Sequence, residues 1–115
     1  MKNEKLMRVS FALVNGRRMK KLNKKYLGRD ESTDVLAFPM KEKLPDGVYF
    51  LGEIVVNADA ARRQAREYKV SEKEELARLI THGALHLLGY SDRSKKQREK
   101  MKKVEDKIVK CVISN

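Results

Sequence analysis

Three short segments in the first half of the chain are rich in β-branched and aromatic residues, a composition typical of strands. They are RVSFALV (8–14), TDVLAFP (33–39) and VYFLGEIVVN (48–57). Pro39 is expected to end the second strand, and a proline there suits a sheet edge. Pro45-Asp46-Gly47 is a turn signature, so the third strand is expected to return beside the second, with a bulge at Gly52.

Apolar residues recur with helical spacing between the first two strands. Met19, Leu22 and Tyr26 lie at positions i, i+3 and i+7. This spacing predicts a helix that begins at an N-cap on Asn15 and runs to about Tyr26. Gly28 follows, at a position where glycine commonly closes a helix.

The second half of the chain is predicted to be helical. The spacing of Ala and Arg over 58–68 is amphipathic. Ser71 with Glu74 has the spacing of a capping box, so the next helix is expected to start there and to run to about Leu88, before Gly89.

A last helix is predicted after Ser94, which forms a second capping box with Gln97. Four of its residues are expected on one face: Met101, Val104, Ile108 and Cys111. Strand segments followed by helices predict an α+β fold. The expected architecture is a small mixed sheet of about three to four strands packed with helices, in a single domain over 1–115, with the 71–88 helix at its centre.

The chain is strongly basic, with 27 Lys and Arg against 16 Asp and Glu among 115 residues and a formal net charge of +11. Such an excess favours a polyanionic partner, most simply nucleic acid, although solubility or acidic lipid headgroups are alternatives. Three groups of basic residues are candidate phosphate contacts, or else plainly solvated faces: Arg17, Arg18, Lys20, Lys21, Lys24 and Lys25; Arg62, Arg63 and Arg66; and Arg93, Lys95, Lys96, Arg98, Lys100, Lys102 and Lys103.

The location expected from the sequence is the cytoplasm. Cys111 is the single cysteine, so no intramolecular disulfide forms, which is compatible with a reducing compartment. No apolar run approaches the length of a membrane span, and the N-terminal apolar run is too short and broken for a secretion signal.

The only two histidines lie on the predicted 71–88 helix. His82 and His86 are four residues apart and therefore project from the same side, so two imidazole nitrogens can meet one ion. Gly89 lets the chain fold back, and Asp92 can then offer a carboxylate to the same ion. The spacing H-x3-H-x2-G-x2-D favours a zinc site with three protein ligands and one open position. The alternative is two packed, hydrogen-bonded rings beside a solvated aspartate.

A single residue argues against one familiar class of zinc enzyme, the zinc peptidases. Zinc peptidases of similar pattern carry a glutamate immediately after the first histidine, where it acts as general base. Here that position is Gly83, which cannot accept a proton. The sequence therefore argues against a peptidase.

Three blocks of the sequence form a recognisable set: LNKKYLGRDESTDVLAFP (22–39), LGEIVVNADAARRQA (51–65) and HGALHLLGY (82–90). In order and spacing they resemble the YbeY family, the metal-binding endoribonucleases of ribosomal RNA maturation. The resemblance implies a sheet of about four strands surrounded by helices. It also implies that His82 and His86 hold a zinc ion together with the residue at Asp92, where the family has a third histidine.

The sequence departs from the family pattern at several positions. Ser91 replaces the aspartate that precedes the third ligand, and Leu27 replaces an arginine that lines the family's site and is thought to bind substrate phosphate. Arg29, two residues later, is the candidate phosphate contact in its place. The chain starts about where the family's second strand begins. A sheet edge or face is therefore expected to be less covered than in relatives.

These features predict an endoribonuclease of ribosomal RNA processing, acting on single-stranded or structured RNA, that hydrolyses phosphodiester bonds with a zinc-activated water. Zn²⁺ is the expected cofactor, with Mn²⁺ or Ni²⁺ as alternatives because a carboxylate ligand shifts preference toward harder ions. The expected partner is ribosomal RNA in the small ribosomal subunit, and neither DNA nor a membrane is expected. The alternative function is a non-catalytic RNA- or ribosome-binding factor with a degenerate metal site.

Overall fold

The computed structural model describes residues 6–114. The elements along the chain are β1 (Met7–Val14), α1 (Gly16–Leu27), β2 (Val35–Lys43), β3 (Tyr49–Asn57), α2 (Ala58–Tyr68), α3 (Glu72–Leu87) and α4 (Lys95–Ile113). Across residues 6–114 the sheet has three strands in the order β1-β3-β2. Strand β1 is parallel to β3, and β2 is antiparallel to it. The predicted α+β fold with a mixed sheet is confirmed.

The β2–β3 hairpin contains the predicted turn, and the pairing of β3 is irregular beside Gly52 on both sides, against β1 and against β2. Within the turn, the backbone N–H of Val48 donates to the Asp46 carboxylate over 3.0 Å. Gly52 has a φ of 155°, and a Cβ at this residue would lie 2.2 Å from the carbonyl oxygen of Phe38. Only glycine therefore allows the two strands to approach this closely.

The prediction that β2 ends at Pro39 is wrong, because the strand continues to Lys43. Pairing with β3 is interrupted between Pro39 and Glu42 and then resumes. Since β2 is an edge strand, the missing N–H of proline is tolerated within it. The expected edge position is thus correct, although the expected strand end is not.

The helices begin at the residues that the capping signals indicate. Asn15 accepts a hydrogen bond from the backbone N–H of Arg18, and Ser71 accepts one from that of Glu74. Ser94 forms a complete capping box with Gln97. Among residues 6–114, no helix is both long and apolar enough to cross a membrane.

Helix α3 lies on the sheet and forms the centre of the core. Its residues Leu79 and Leu87 pack with Ile54 and Val56 of β3, and α3 contacts both β2 and β3. Leu85 points away from the sheet yet is buried, because α4 packs on that side of α3. Both faces of the helix that carries the histidines are thus fixed by neighbouring elements.

The buried face of α4 differs from the predicted one. Met101 is buried as expected, but Ile108 and Cys111 are exposed. The other buried positions are Glu105 and Val109, so the buried residues recur at i, i+4 and i+8. A charged side chain belongs to this buried face because it has specific partners on α3, which are described below.

Strand β1 is the less covered edge of the sheet. It pairs with β3 on one side, and the side chains of Met7, Phe11 and Leu13 are about half exposed. Helix α3 packs mainly on the other two strands. Large apolar side chains of the sheet are therefore exposed mainly on β1.

Candidate metal centre

The histidines lie in the last two turns of α3, where the helix is closed by a glycine turn. Gly89 has a φ of 101°, in the left-handed region that glycine adopts at helix ends. The backbone N–H of Gly89 donates to the carbonyl of His86, and that of Tyr90 donates to the carbonyl of Leu85. The turn reverses the chain and brings Asp92 back beside the helix.

The structure brings His82, His86 and Asp92 together into one cluster. The two Nε2 atoms of the histidines are 3.1 Å apart, and His86 Nε2 is 3.7 Å from Asp92 Oδ2. One ligand atom from each of the three residues lies within 4.8 Å of the other two. These separations suit three donor atoms arranged around a single ion.

Each imidazole is oriented by a partner at its other ring nitrogen. His86 Nδ1 is 3.2 Å from the backbone carbonyl oxygen of Tyr90. Because a carbonyl only accepts hydrogen bonds, Nδ1 carries the proton and Nε2 keeps its lone pair. His82 Nδ1 is 3.0 Å from Oε1 of Glu105, a carboxylate that fixes the same tautomer. Partners of this kind are typical of metal-binding histidines.

The surroundings of His82 favour its charged form. The hydrogen bond to Glu105 raises the pKa of His82, and the negative charges of Glu105, Asp34 and Asp92 act in the same direction, whereas burial of the ring opposes them. Two neutral Nε2 lone pairs 3.1 Å apart repel each other, so a metal ion between them is stabilising. Two imidazoles and a carboxylate are a donor set that fits Zn²⁺.

Glu105 is in turn held by Arg78, which lies one turn before His82 on α3. Arg78 Nη1 is 3.3 Å from Glu105 Oε2 and 2.6 Å from Asp106 Oδ1. The hydrogen bond from Arg78 lowers the pKa of Asp106. A chain of charged contacts therefore joins α4 to the histidine cluster.

Packing supports the argument against a peptidase. A Cβ on Gly83 would lie 2.9 Å from Cγ2 of Ile54, a fully buried residue of β3. A glutamate in this position has no room between α3 and the sheet. The glycine is therefore required by close packing of the helix that carries the ligands.

Arg29, the candidate phosphate contact, lies in the exposed loop after α1. Its backbone N–H donates to the carbonyl of Asn23 over 3.4 Å. The cavity beside the cluster, of about 400 Å³, has a lining that includes Arg93 rather than Arg29. Leu27, where the family resemblance implies an arginine, is about half exposed. The structure thus groups the three candidate ligands but does not place Arg29 among them.

Sequence reasoning missed Glu105 and the carbonyl of Tyr90. A signal for Glu105 was present, because it lies four residues from both Met101 and Val109 in the apolar spacing of α4. A charged residue within such spacing indicates a buried ionic contact. No side-chain pattern indicates the Tyr90 carbonyl, since every residue has one.

Basic side chains cover several exposed surfaces of the molecule. All of the basic residues that the sequence grouped on α1, on α2 and over 93–103 are exposed. Few are neutralised nearby: Arg62 pairs with Asp59, and Lys102 with Asp106. The described part of the chain thus retains a large positive surface suited to phosphate contacts.

Comparison with known proteins identifies the family. The family model described as "Endoribonuclease YbeY" matches residues 1–112. The chain belongs to the YbeY family. It is 42% identical over 109 residues to an endoribonuclease YbeY of Thermodesulfovibrio yellowstonii, a match that covers 94% of this chain and 69% of the relative. The corresponding protein of Heliobacterium modesticaldum is 38% identical over 112 residues, with 89% and 68% covered.

A solved structure has the same fold. The solution structure of a protein from Thermotoga maritima is similar with a TM-score of 0.59 and 35% sequence identity. The match covers 93% of this chain and 71% of that protein. The resemblance that the sequence motifs indicated is therefore confirmed at the level of both family and fold.

Proposed function

We propose that this protein is a metal-dependent endoribonuclease that hydrolyses phosphodiester bonds of RNA. The observation that carries the proposal is the cluster of His82, His86 and Asp92, whose ligand atoms lie within 4.8 Å of one another. The hydrogen bonds at both Nδ1 atoms leave both Nε2 atoms free for an ion. The matched relatives bear the name endoribonuclease, in line with this chemistry.

The proposed ligands are His82 and His86 through Nε2 and Asp92 through its carboxylate. A bound Zn²⁺ would act as a Lewis acid toward the phosphate and lower the pKa of a water molecule. Asp92 would reduce the net charge of the loaded centre from +2 to +1, which makes water less acidic than a third neutral histidine would. The carboxylate also leaves Mn²⁺ and Ni²⁺ as alternative ions.

Basic side chains are proposed to bind the RNA backbone without reading its sequence. Arg29 remains the candidate contact for the phosphate near the reaction, and the exposed groups on α1, α2 and 93–103 supply the rest. Such contacts release counterions, so the affinity for RNA is expected to fall steeply as salt rises. The proposed target is ribosomal RNA of the small ribosomal subunit in the cytoplasm, and this choice rests on the family resemblance.

A second candidate function is a non-catalytic RNA- or ribosome-binding factor. Two observations favour it: Leu27 stands where the family resemblance implies an arginine, and the Asp92 side chain is half exposed. In this function the fold and the positive charge are kept, while the metal centre has lost its chemistry.

Metal analysis and RNA cleavage together distinguish the two functions. Protein loaded with excess zinc and then desalted is compared with Asp92→Ala, with Asp30→Ala as a control that removes an exposed carboxylate elsewhere. We expect about one zinc per chain and RNA cleavage for the wild type and Asp30→Ala, and loss of both for Asp92→Ala.

The opposite results are equally clear. Wild-type protein that binds RNA but retains no ion and cleaves nothing supports the binding factor. Zinc retained in full by Asp92→Ala shows that the aspartate is not a ligand. Repeating the titration with Mn²⁺ and Ni²⁺ identifies the preferred ion.

A further inference from the structure

Glu105 is a carboxylate in the interior of the molecule with both oxygens engaged. Oε1 is 3.0 Å from His82 Nδ1, and Oε2 is 3.3 Å from Arg78 Nη1. Its side chain is only 11% exposed. A buried charge is strongly unfavourable without partners, so the residue depends on these two contacts.

Arg78 holds Glu105 in this orientation. It lies four residues before His82 and therefore on the same side of α3. Asp106 of α4 accepts a second hydrogen bond from the same nitrogen, over 2.6 Å. The guanidinium is thus anchored by two adjacent residues of α4, and only one of them reaches the histidine.

We propose that Glu105 is a positioning residue of the metal centre, which fixes the tautomer and the ring orientation of His82 and is itself oriented by Arg78. The inference rests on the proposed function for the presence of an ion. It goes beyond the ligand set because it makes α4 part of the centre, although α4 supplies no ligand.

The physical reason lies in the two nitrogens of the imidazole. A neutral ring carries one proton, which occupies either Nδ1 or Nε2, and only the Nδ1–H form leaves Nε2 free for an ion. A carboxylate at 3.0 Å from Nδ1 selects that form and makes Nε2 a stronger donor to the ion. Without it, the ring is free to rotate and to change tautomer.

The first test replaces the carboxylate with an amide of the same shape. In Glu105→Gln, the amide has only one oxygen to accept a hydrogen bond, whereas the Arg78 guanidinium and the His82 N–H both donate. The amide nitrogen faces one of these two donors, and that contact is lost. Zinc affinity, measured by competition with a chromophoric chelator, is expected to fall about 10- to 100-fold. Glu99→Gln is the matched control, since it removes the same charge from an exposed position of α4.

The second test reads the tautomer directly in metal-free protein. Nitrogen-15 NMR of the imidazoles, recorded where both rings are neutral, is expected to show the Nδ1–H form for His82 in the wild type and in Glu99→Gln. In Glu105→Gln the His82 signals are expected to shift toward a mixture, while His86 keeps its proton on Nδ1, where the Tyr90 carbonyl accepts it. A merely structural role for Glu105 does not move one imidazole in this way.

A second variant keeps the proposal testable if Glu105→Gln does not fold. Arg78→Gln leaves Glu105 in place but releases its orientation, so its zinc affinity is expected between those of the wild type and Glu105→Gln. Thermal unfolding of each variant establishes that the compared proteins are folded.

The proposal is overturned if Glu105→Gln is folded and keeps both the wild-type zinc affinity and the wild-type His82 tautomer. Failure of the proposed function gives a different result. Wild-type protein would then bind no zinc, and the NMR experiment on metal-free protein would still decide the role of Glu105.

Discussion

The two halves of the candidate centre hold their imidazoles by different means. In the inner half, His82 is held by Glu105, a side chain 23 residues away that belongs to another helix. In the outer half, His86 is held by the backbone carbonyl of Tyr90, in the loop that also carries Asp92. The inner half therefore depends on tertiary packing and the outer half on a local turn. Substitutions in the inner half are expected to act through the packing of α3 on its neighbours, and those in the outer half through the turn that places Asp92.

The largest effect on stability is expected from Gly83→Ala, in the inner half. The added methyl would lie 2.9 Å from Ile54 Cγ2, and Ile54 is fully buried. Overpacking of this kind costs about 1–3 kcal/mol, which urea unfolding measures. Gly16→Ala is the control, because its Cβ meets nothing closer than 3.4 Å. Equal loss in both variants would show that the contact with the sheet is unimportant.

A smaller loss of stability, but a clear loss of zinc affinity, is expected from Gly89→Ala in the outer half. Its added Cβ meets nothing within 4 Å, so the cost comes from the left-handed backbone alone, about 1–2 kcal/mol. Gly28→Ala is a matched control, since Gly28 closes α1 with a φ of 70° and equally open surroundings. Zinc affinity unchanged in Gly89→Ala would show that the turn does not place Asp92.

A pH-dependent effect is expected from Glu75→Gln, two turns before the histidines on α3. Burial raises the pKa of Glu75, and the charges of Asp34, Glu105 and Glu74 raise it further, against the opposing effect of Arg78. A carboxyl with a raised pKa in the folded state favours folding at low pH. This contribution is lost as pH rises from the ordinary value near 4.5 through the folded-state pKa.

Glu75→Gln is therefore expected to unfold less readily than the wild type at neutral pH, and this advantage is expected to shrink toward pH 4. Urea unfolding at several pH values measures the difference in the free energy of unfolding. Glu72→Gln, an exposed substitution on the same helix, is the control. A difference that does not change with pH would contradict the assigned shift.

The smallest effect is expected from Tyr90→Phe. The contact with His86 comes from the backbone carbonyl of this residue, which the substitution leaves in place. Zinc affinity is expected to stay within about twofold, against the 10- to 100-fold loss for Glu105→Gln. A large loss for Tyr90→Phe would remove the distinction between the two halves.

Local signals predicted most of the fold because they act over a few residues. The caps at Asn15, Ser71 and Ser94 each bind a backbone N–H three residues later, so sequence spacing alone indicated where the helices begin. Pro39 was misjudged because its tolerance depends on the edge position of β2, which is a property of the whole sheet. Local patterns do not contain that information.

The same contrast between local signals and tertiary packing applies to the residues of the candidate site. His82, His86 and Asp92 were recognisable because a helix and a glycine turn relate them over ten residues of sequence. Glu105 was missed because its role depends on how α4 packs on α3. The spacing of apolar residues in α4 predicted its buried face only approximately. The place of Arg29 relative to the cluster depends on a loop whose path the sequence does not specify.

Helix α3, which carries the two histidines, also packs on the sheet through Leu79, Gly83 and Leu87. Its shape is therefore set by burial of apolar surface, and no ion has to arrive first. Unlike small zinc-dependent domains that unravel in the presence of a chelator, this chain is expected to stay folded when stripped. Under the proposed function, capture and release of an ion would then move mainly Asp92 and its loop, while α3 and the sheet keep their positions.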